Sequence, residues 1–142
     1  CVSPNVKPGI LLVHPRLEEM KAKGMFVKAS DSDQPGIGTW WGGKGMFTDF
    51  TSSSTRENWK MMLKENVLDY GTSSIWNDNC EYDSMVDKDC RVSFEGKGAT
   101  IGQLKSQMKQ SMKPLKTHGP ISYAVPAIAE FRNTPRPGQA IT

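Results

Sequence analysis

A continuous run of hydrophobic residues near the start of the chain is followed by a segment of mixed polar and apolar residues that favour a helix. Residues 9–13, GILLV, form an apolar run ended by His14 and Pro15, which predicts a strand buried on both faces. Residues 16–24, RLEEMKAKG, contain good helix formers and end in Gly24, a residue typical of helix C-termini. The pattern therefore predicts a strand followed by a short helix.

The middle of the chain carries the clearest helical pattern. Ser54 and Glu57 have capping-box spacing, which predicts a helix that begins there and ends near Gly71. Its apolar face is made of Trp59, Met62, Leu63, Val67 and Tyr70. Residues 73–78, SSIWND, follow as a second predicted strand.

The remaining segments are predicted from composition and turn chemistry. Residues 29–45 are rich in Gly, Ser, Asp and Pro, which predicts a loop that carries Trp40 and Trp41. Residues 84–99 are predicted to form an irregular polar loop. An amphipathic helix is predicted from Ile101 to about Lys113, with an apolar side made of Ile101, Leu104, Met108 and Met112.

The order strand, helix, strand, helix predicts an α/β fold with parallel strands, because parallel strands need a crossover connection. Functional groups in such folds gather at the carboxyl ends of the strands. Asp78 lies there, beside Trp76 and close to Glu81. This setting suits a nucleophile or general base, whereas a role in a turn or a helix cap is an open alternative.

Composition and charge argue against a nucleic-acid partner and a membrane partner. The 142 residues suit one domain, and the 18 basic and 15 acidic residues give a net charge of only +3. The lysines are dispersed, so we predict no nucleic-acid partner, although a basic helix face could bind polyanions; it comprises Lys105, Lys109, Lys113 and Lys116. The longest apolar run near the start is far shorter than the roughly 20 residues of a membrane helix, so we predict no membrane partner.

The cysteines and acidic residues do not have the spacing of a known metal-binding motif. Three cysteines have no C-x-x-C spacing, and the acids at 87, 89 and 95 lack the spacing of a calcium loop. We therefore predict no metal and no cofactor, and the redox compartment and localisation are left open. The chain begins with Cys1 close to a predicted strand, from which we expect a cut rather than a natural start.

Two motifs in residues 38–83 resemble glycoside hydrolase family 31, the α-glucosidase and α-xylosidase group. In that family a DFTNP-type segment opens a helix that contains Trp, and the next strand ends in a WNDMNE-type motif. The first is matched by Asp49, Phe50 and Thr51, and the second by Trp76, Asn77, Asp78, Asn79 and Glu81. Residues 4–15, PNVKPGILLVHP, also resemble the strand that precedes this region in some branches. Cys80 and Tyr82 depart from the family pattern.

The resemblance implies that residues 1–142 are a partial catalytic domain, a segment of a (β/α)8 TIM barrel. The enzyme would be a retaining α-glycosidase that acts on α-linked glucosides or related sugars. Asp78 would be the catalytic nucleophile and Glu81 a supporting residue. Trp76 would wall the sugar subsite, and three weaker candidates would shape or support it: Trp40, Trp41 and Asp49.

The second carboxyl group that retaining hydrolysis needs, roughly 5 Å from the first, lies on a later strand in the family. We therefore expect the chain alone to be inactive, and its partners to be the remainder of the barrel and an oligosaccharide or α-glucoside substrate. Transglucosylation or an α-glucan lyase reaction would use the same Asp78. The alternative from another class is a non-catalytic carbohydrate-binding or interaction remnant.

Overall fold

The computed structural model describes residues 3–72, 74–80 and 86–111, except the side chains of 108–111. Its helices are α1 (Leu17–Ala22), α2 (Ser53–Asn66) and α3 (Ile101–Ser111), and a 3-10 turn covers Leu68–Tyr70. Its strands are β1 (Asn5–Val6), β2 (Gly9–Leu11), β3 (Ile37–Trp40), β4 (Gly43–Phe47), β5 (Trp76–Asn77), β6 (Arg91–Val92) and β7 (Ala99–Thr100). Helices and short sheets alternate along the described chain, which is a mixed α/β arrangement.

One pair of strands runs parallel. Asn5 of β1 lies opposite Trp76 of β5, and Val6 lies opposite Asn77. The connection between them contains α1, the β3–β4 hairpin and α2. Parallel strands require such a long return path. The carboxyl ends of β1 and β5 therefore lie side by side, although they are about seventy residues apart in sequence.

The predicted strand at residues 9–13 has a different partner and a shorter extent. It is β2, which pairs antiparallel with β4, so that Ile10 lies opposite Met46. Ile10 is buried, but Leu12 and Val13 lie beyond the strand and are 41% and 87% exposed. The prediction of a strand buried along its whole length was therefore wrong, because the apolar run continues past the end of the sheet.

The loop predicted at 29–45 is confirmed at residues 29–34, but residues 37–45 form a β-hairpin. β3 and β4 pair antiparallel, from Ile37 opposite Met46 to Trp40 opposite Gly43. Gly45 allows β4 to lie close to β2, because a Cβ at this position would lie 2.6 Å from the Ile10 carbonyl oxygen. Gly45, which contributed to the prediction of a loop, is thus required by strand packing.

The polar segment at 84–99 also contains strands. β6 and β7 pair antiparallel, with Arg91 opposite Thr100 and Val92 opposite Ala99. Two-residue strands are too short for an alternating pattern to show in the sequence. The prediction of an irregular loop was therefore wrong at residues 91–92 and 99, and residues 84–85 lie outside the described part.

The three helices are confirmed, but α2 ends at Asn66 rather than near Gly71, and Tyr70, predicted on its apolar face, is exposed. The predicted cap is also not found. α1 is followed by Gly24 in the left-handed region, at φ 64°. α2 begins at Ser53, so Ser54 lies inside the helix and cannot be the N-cap of the predicted capping box; the N-cap is Ser52, which makes no side-chain capping bond. α3 buries Ile101 and Leu104 as predicted. The predicted core positions 108 and 112 lie outside the side chains described.

One hydrophobic core collects side chains from the hairpin and from all three helices. Its fully buried side chains include Met20, Met25, Val27 and Phe47. The indole of Trp40 covers Gly9, where a Cβ would come within 2.3 Å of the ring. None of the described helices combines the length and apolarity needed to cross a membrane.

Candidate functional site

Asp78 lies directly after β5, at the carboxyl end of the parallel pair. Its backbone N–H donates to the Val6 carbonyl oxygen at 3.1 Å, and the N–H of Trp76 donates to the Pro4 carbonyl oxygen at 2.9 Å. The ladder between the first strand and the fifth therefore continues up to Asp78. It fixes the backbone from which the carboxylate projects.

The Asp78 carboxylate is held by two side chains from the end of β1. Its Oδ2 oxygen accepts a hydrogen bond from Asn5 Nδ2 at 3.1 Å and another from Lys7 Nζ, with which it forms an ion pair. Lys7 Nζ also donates to Asn79 Oδ1 at 2.6 Å. The ammonium group thus bridges two neighbouring residues of the β5 end.

These contacts favour the charged form of Asp78. The hydrogen bond from Lys7 lowers the pKa of the carboxyl group most, followed by the hydrogen bond from Asn5 and then by the positive charge of Lys7. The side chain is 36% exposed and that of Lys7 is 42% exposed. The site therefore presents an ionised carboxylate that solvent or a ligand can reach.

Asn79 adopts an unusual backbone conformation beside Asp78. Its φ is 55°, in the left-handed region that asparagine tolerates better than most residues. The following residue, Cys80, is buried. The chain therefore turns inward directly after Asp78, while the Asn79 side chain is retained by Lys7. Glu81, the predicted supporting residue, lies outside the described residues.

The predicted tryptophans fall into two groups. Trp40 is only 8% exposed and packs in the core, with its ring 6.1 Å from that of Phe47. Trp41 and Trp76 are 78% and 63% exposed. Lys7 Nζ lies 5.5 Å from the centre of the Trp41 ring, within the range of a cation–π interaction. Lys7 thus places Trp41 close to Asp78, whereas Trp40 packs in the core.

Asp49 lies in a separate, buried network. It is 4% exposed, and its Oδ1 oxygen accepts hydrogen bonds from the Thr51 N–H at 3.0 Å and the Thr51 hydroxyl at 2.6 Å. Its Oδ2 oxygen accepts a hydrogen bond from the Ser93 N–H at 2.7 Å. These bonds tie the segment before α2 to the segment after β6. They give Asp49 a supporting position between these two segments.

A cavity of about 680 Å³ opens beside Asp49, lined in part by Lys28, Arg91 and Gln103. Asp78 and its partners do not line it. Its two cationic groups, Lys28 and Arg91, share one carboxylate partner, Asp33. Across the described residues, no three His, Cys, Asp or Glu side chains gather as a metal site would require.

Sequence reasoning missed Asn5 and Lys7 as site residues. They precede the first strongly apolar run, and neither belongs to a motif that points to chemistry. The available signal was the short extended segment PNVK, residues 4–7, ahead of the GILLV run. Parallel pairing of that segment with residues 76–77 would have brought both side chains beside Asp78.

Comparison with models of protein families gives one match. Residues 2–119 match the model described as "Glycosyl hydrolases family 31 TIM-barrel domain". A solved structure of the glucosidase II alpha subunit is similar, with 24% identity and a TM-score of 0.56 over 75% of this chain and 12% of that one. A xylosidase from Aspergillus niger is 24% identical over 54% of this chain and 10% of that one, with a TM-score of 0.47.

The chain thus spans about a tenth of the length of either solved protein. No match was found among curated proteins.

Proposed function

The chain belongs to glycosyl hydrolases family 31, within the TIM-barrel domain, and on that premise we propose that it is part of a retaining α-glycosidase with Asp78 as the nucleophile. The observation that carries the proposal is the ionised carboxylate of Asp78 at the shared carboxyl end of two parallel strands. Catalytic groups of TIM barrels lie at that end of the strands.

The geometry of the carboxylate suits attack on a sugar. Both side-chain hydrogen bonds end on Oδ2, so Oδ1 is the oxygen that attacks the anomeric carbon. The bond to the leaving oxygen breaks as the bond to Oδ1 forms, and an acid group protonates the leaving oxygen. Water then attacks the anomeric carbon, gives its proton to the same acid group, which is now deprotonated, and releases Asp78 as a carboxylate.

The acid group comes from another part of the barrel. We propose that β1 and β5 are neighbouring strands of a (β/α)8 barrel and that the antiparallel hairpin is an insertion between them. "The complete barrel" below means a polypeptide that carries residues 1–142 together with the other strands. In this proposal the isolated chain is inactive, because only the complete barrel has both carboxyl groups.

The exposed tryptophans supply the sugar-binding surface. Indole faces pack against the apolar C–H faces of a pyranose, and Trp41 and Trp76 are both largely exposed. We assign Trp40 and Asp49 indirect, supporting roles because both are buried. The substrate is an α-linked glucoside or a related sugar. Transglucosylation and α-glucan lyase chemistry would begin with the same attack by Asp78.

The first prediction concerns covalent trapping of Asp78. The complete barrel is treated with an activated 5-fluoro-α-glucosyl fluoride, whose fluoride leaves without needing an acid. We expect a glycosyl group on Asp78, found by peptide mass spectrometry, and none in Asp78→Asn. Asp69→Asn, a change at an exposed carboxylate elsewhere, should be labelled as the unchanged protein is. A label on another carboxylate would overturn the assignment.

A second candidate function is sugar binding without turnover. The exposure of Trp41 and Trp76 favours it, because exposed indoles bind sugar whether or not an acid group is present. In that case calorimetry would detect α-glucoside binding that Trp41→Ala weakens, while the fluoride reagent would leave the complete barrel unlabelled.

A further inference from the structure

Lys7 occupies the short link between two sheets. β1 ends at Val6 and β2 begins at Gly9, so the backbone on both sides of Lys7 is fixed by strand pairing. Its ammonium group reaches across to the end of β5. A flexible lysine side chain is therefore anchored at a defined place beside Asp78.

Three groups converge on the Lys7 ammonium. It donates hydrogen bonds to Asp78 Oδ2 and to Asn79 Oδ1, and it faces the Trp41 ring. An ammonium group has three donors and no acceptor, so these contacts use most of its capacity. Asn5 supports the same Asp78 oxygen but carries no charge.

The arrangement does little for folding. The pair is partly exposed on both sides, and exposed ion pairs contribute little to stability. Orientation is the effect that the geometry favours, because a carboxylate gripped through one oxygen keeps the other in a fixed direction. A nucleophile held near its attack position reacts much faster than one that rotates freely.

We propose that Lys7 is a positioning residue: it grips Oδ2 of Asp78 so that Oδ1 faces the anomeric carbon, and it links that carboxylate to the hairpin that carries Trp41. The inference rests on the proposed function of Asp78. Among the described residues, Lys7 is the charged side chain that contacts Asp78. Asn5, which also donates to Asp78 Oδ2, and Asn79, which accepts from Lys7, are both neutral.

The experiment measures the rate of Asp78 labelling by the fluoride reagent across pH in the complete barrel. Because fluoride leaves without acid catalysis, the acidic limb of this profile reports the ionisation of the nucleophile. Removing the Lys7 contact raises the pKa of Asp78 towards its ordinary value, so Lys7→Met should move the acidic limb to higher pH. On the neutral plateau we expect labelling to slow roughly ten- to hundredfold from lost positioning.

Two further variants separate positioning from general damage. Lys7→Arg retains the charge and should restore the position of the acidic limb. Lys64→Met removes another exposed lysine–aspartate pair, with Asp69, and should leave both the limb and the plateau unchanged. An equal melting temperature for Lys7→Met and Lys64→Met would show that folding is not the cause.

The outcomes distinguish the two proposals. If Asp78 is labelled but Lys7→Met has the unchanged profile, the positioning role is wrong and the nucleophile assignment stands. If the label falls on another residue, the proposed function fails first and the role of Lys7 fails with it.

Discussion

Single residues in this chain differ in role even when they are neighbours of the same type. Trp40 and Trp41 are adjacent, yet one is 8% exposed and the other 78% exposed. The reason is that side chains alternate between the two faces along β3, and Trp41 begins the turn that follows it. The sequence motif alone gave both residues the same candidate role in shaping the sugar subsite.

This difference predicts opposite effects of two alanine substitutions. Trp40→Ala should lower the free energy of unfolding of the complete barrel by about 3–5 kcal/mol, because it empties the space above Gly9. Trp41→Ala should leave that free energy nearly unchanged and weaken α-glucoside binding. Denaturant unfolding and calorimetry check the two effects. Equal losses of stability in both variants would contradict the assignment of Trp41 to the binding surface.

At the scale of elements, pairing partners explain what the sequence could and could not predict. The three helices were predictable, since each has apolar residues at helical spacing. The hairpin was not, because Gly42 and Gly45 suggest a loop until the close approach of β2 to both is known. Asn5 and Lys7 lie beside Asp78 only because β1 pairs with β5. This contact joins segments that are far apart in sequence, so a search for motifs does not reveal it.

The hydrogen-bond network of Asp49 joins two secondary-structure elements, the start of α2 and the end of β6. Asp49→Asn would replace one accepting oxygen by an amino group that faces an N–H donor. We expect a loss of about 1–3 kcal/mol in the free energy of unfolding of the complete barrel. Asp69→Asn, at an exposed site paired with Lys64, should cost less than about 1 kcal/mol.

Labelling of Asp78 by the fluoride reagent tests whether Asp49 has a role beyond stability. If Asp49 acts only as a support, the folded fraction of Asp49→Asn should be labelled at Asp78 at close to the unchanged rate. A stable variant with strongly reduced sugar binding would instead assign Asp49 to the substrate site.

At the scale of the whole molecule, the described strands leave edges and apolar side chains unsatisfied. β1 and β5 pair with each other but with no further strand among residues 3–72, 74–80 and 86–111. Large exposed apolar side chains include Leu12, Val13, Met61 and Tyr70. Unpaired strand edges and exposed apolar groups favour association between chains. A partial barrel would have both features, and further strands and helices would cover them.

Because of these edges and apolar side chains, we predict that the isolated 142-residue chain self-associates. Sedimentation should detect species larger than the monomer, and a dye that fluoresces on apolar surfaces should bind the chain more strongly than it binds the complete barrel. Val13→Lys, at the most exposed of these side chains, should reduce both signals, whereas Lys97→Met, at an exposed polar turn, should not. A monomer that unfolds cooperatively would show that residues 1–142 are stable alone, and the partial-barrel proposal would then be wrong.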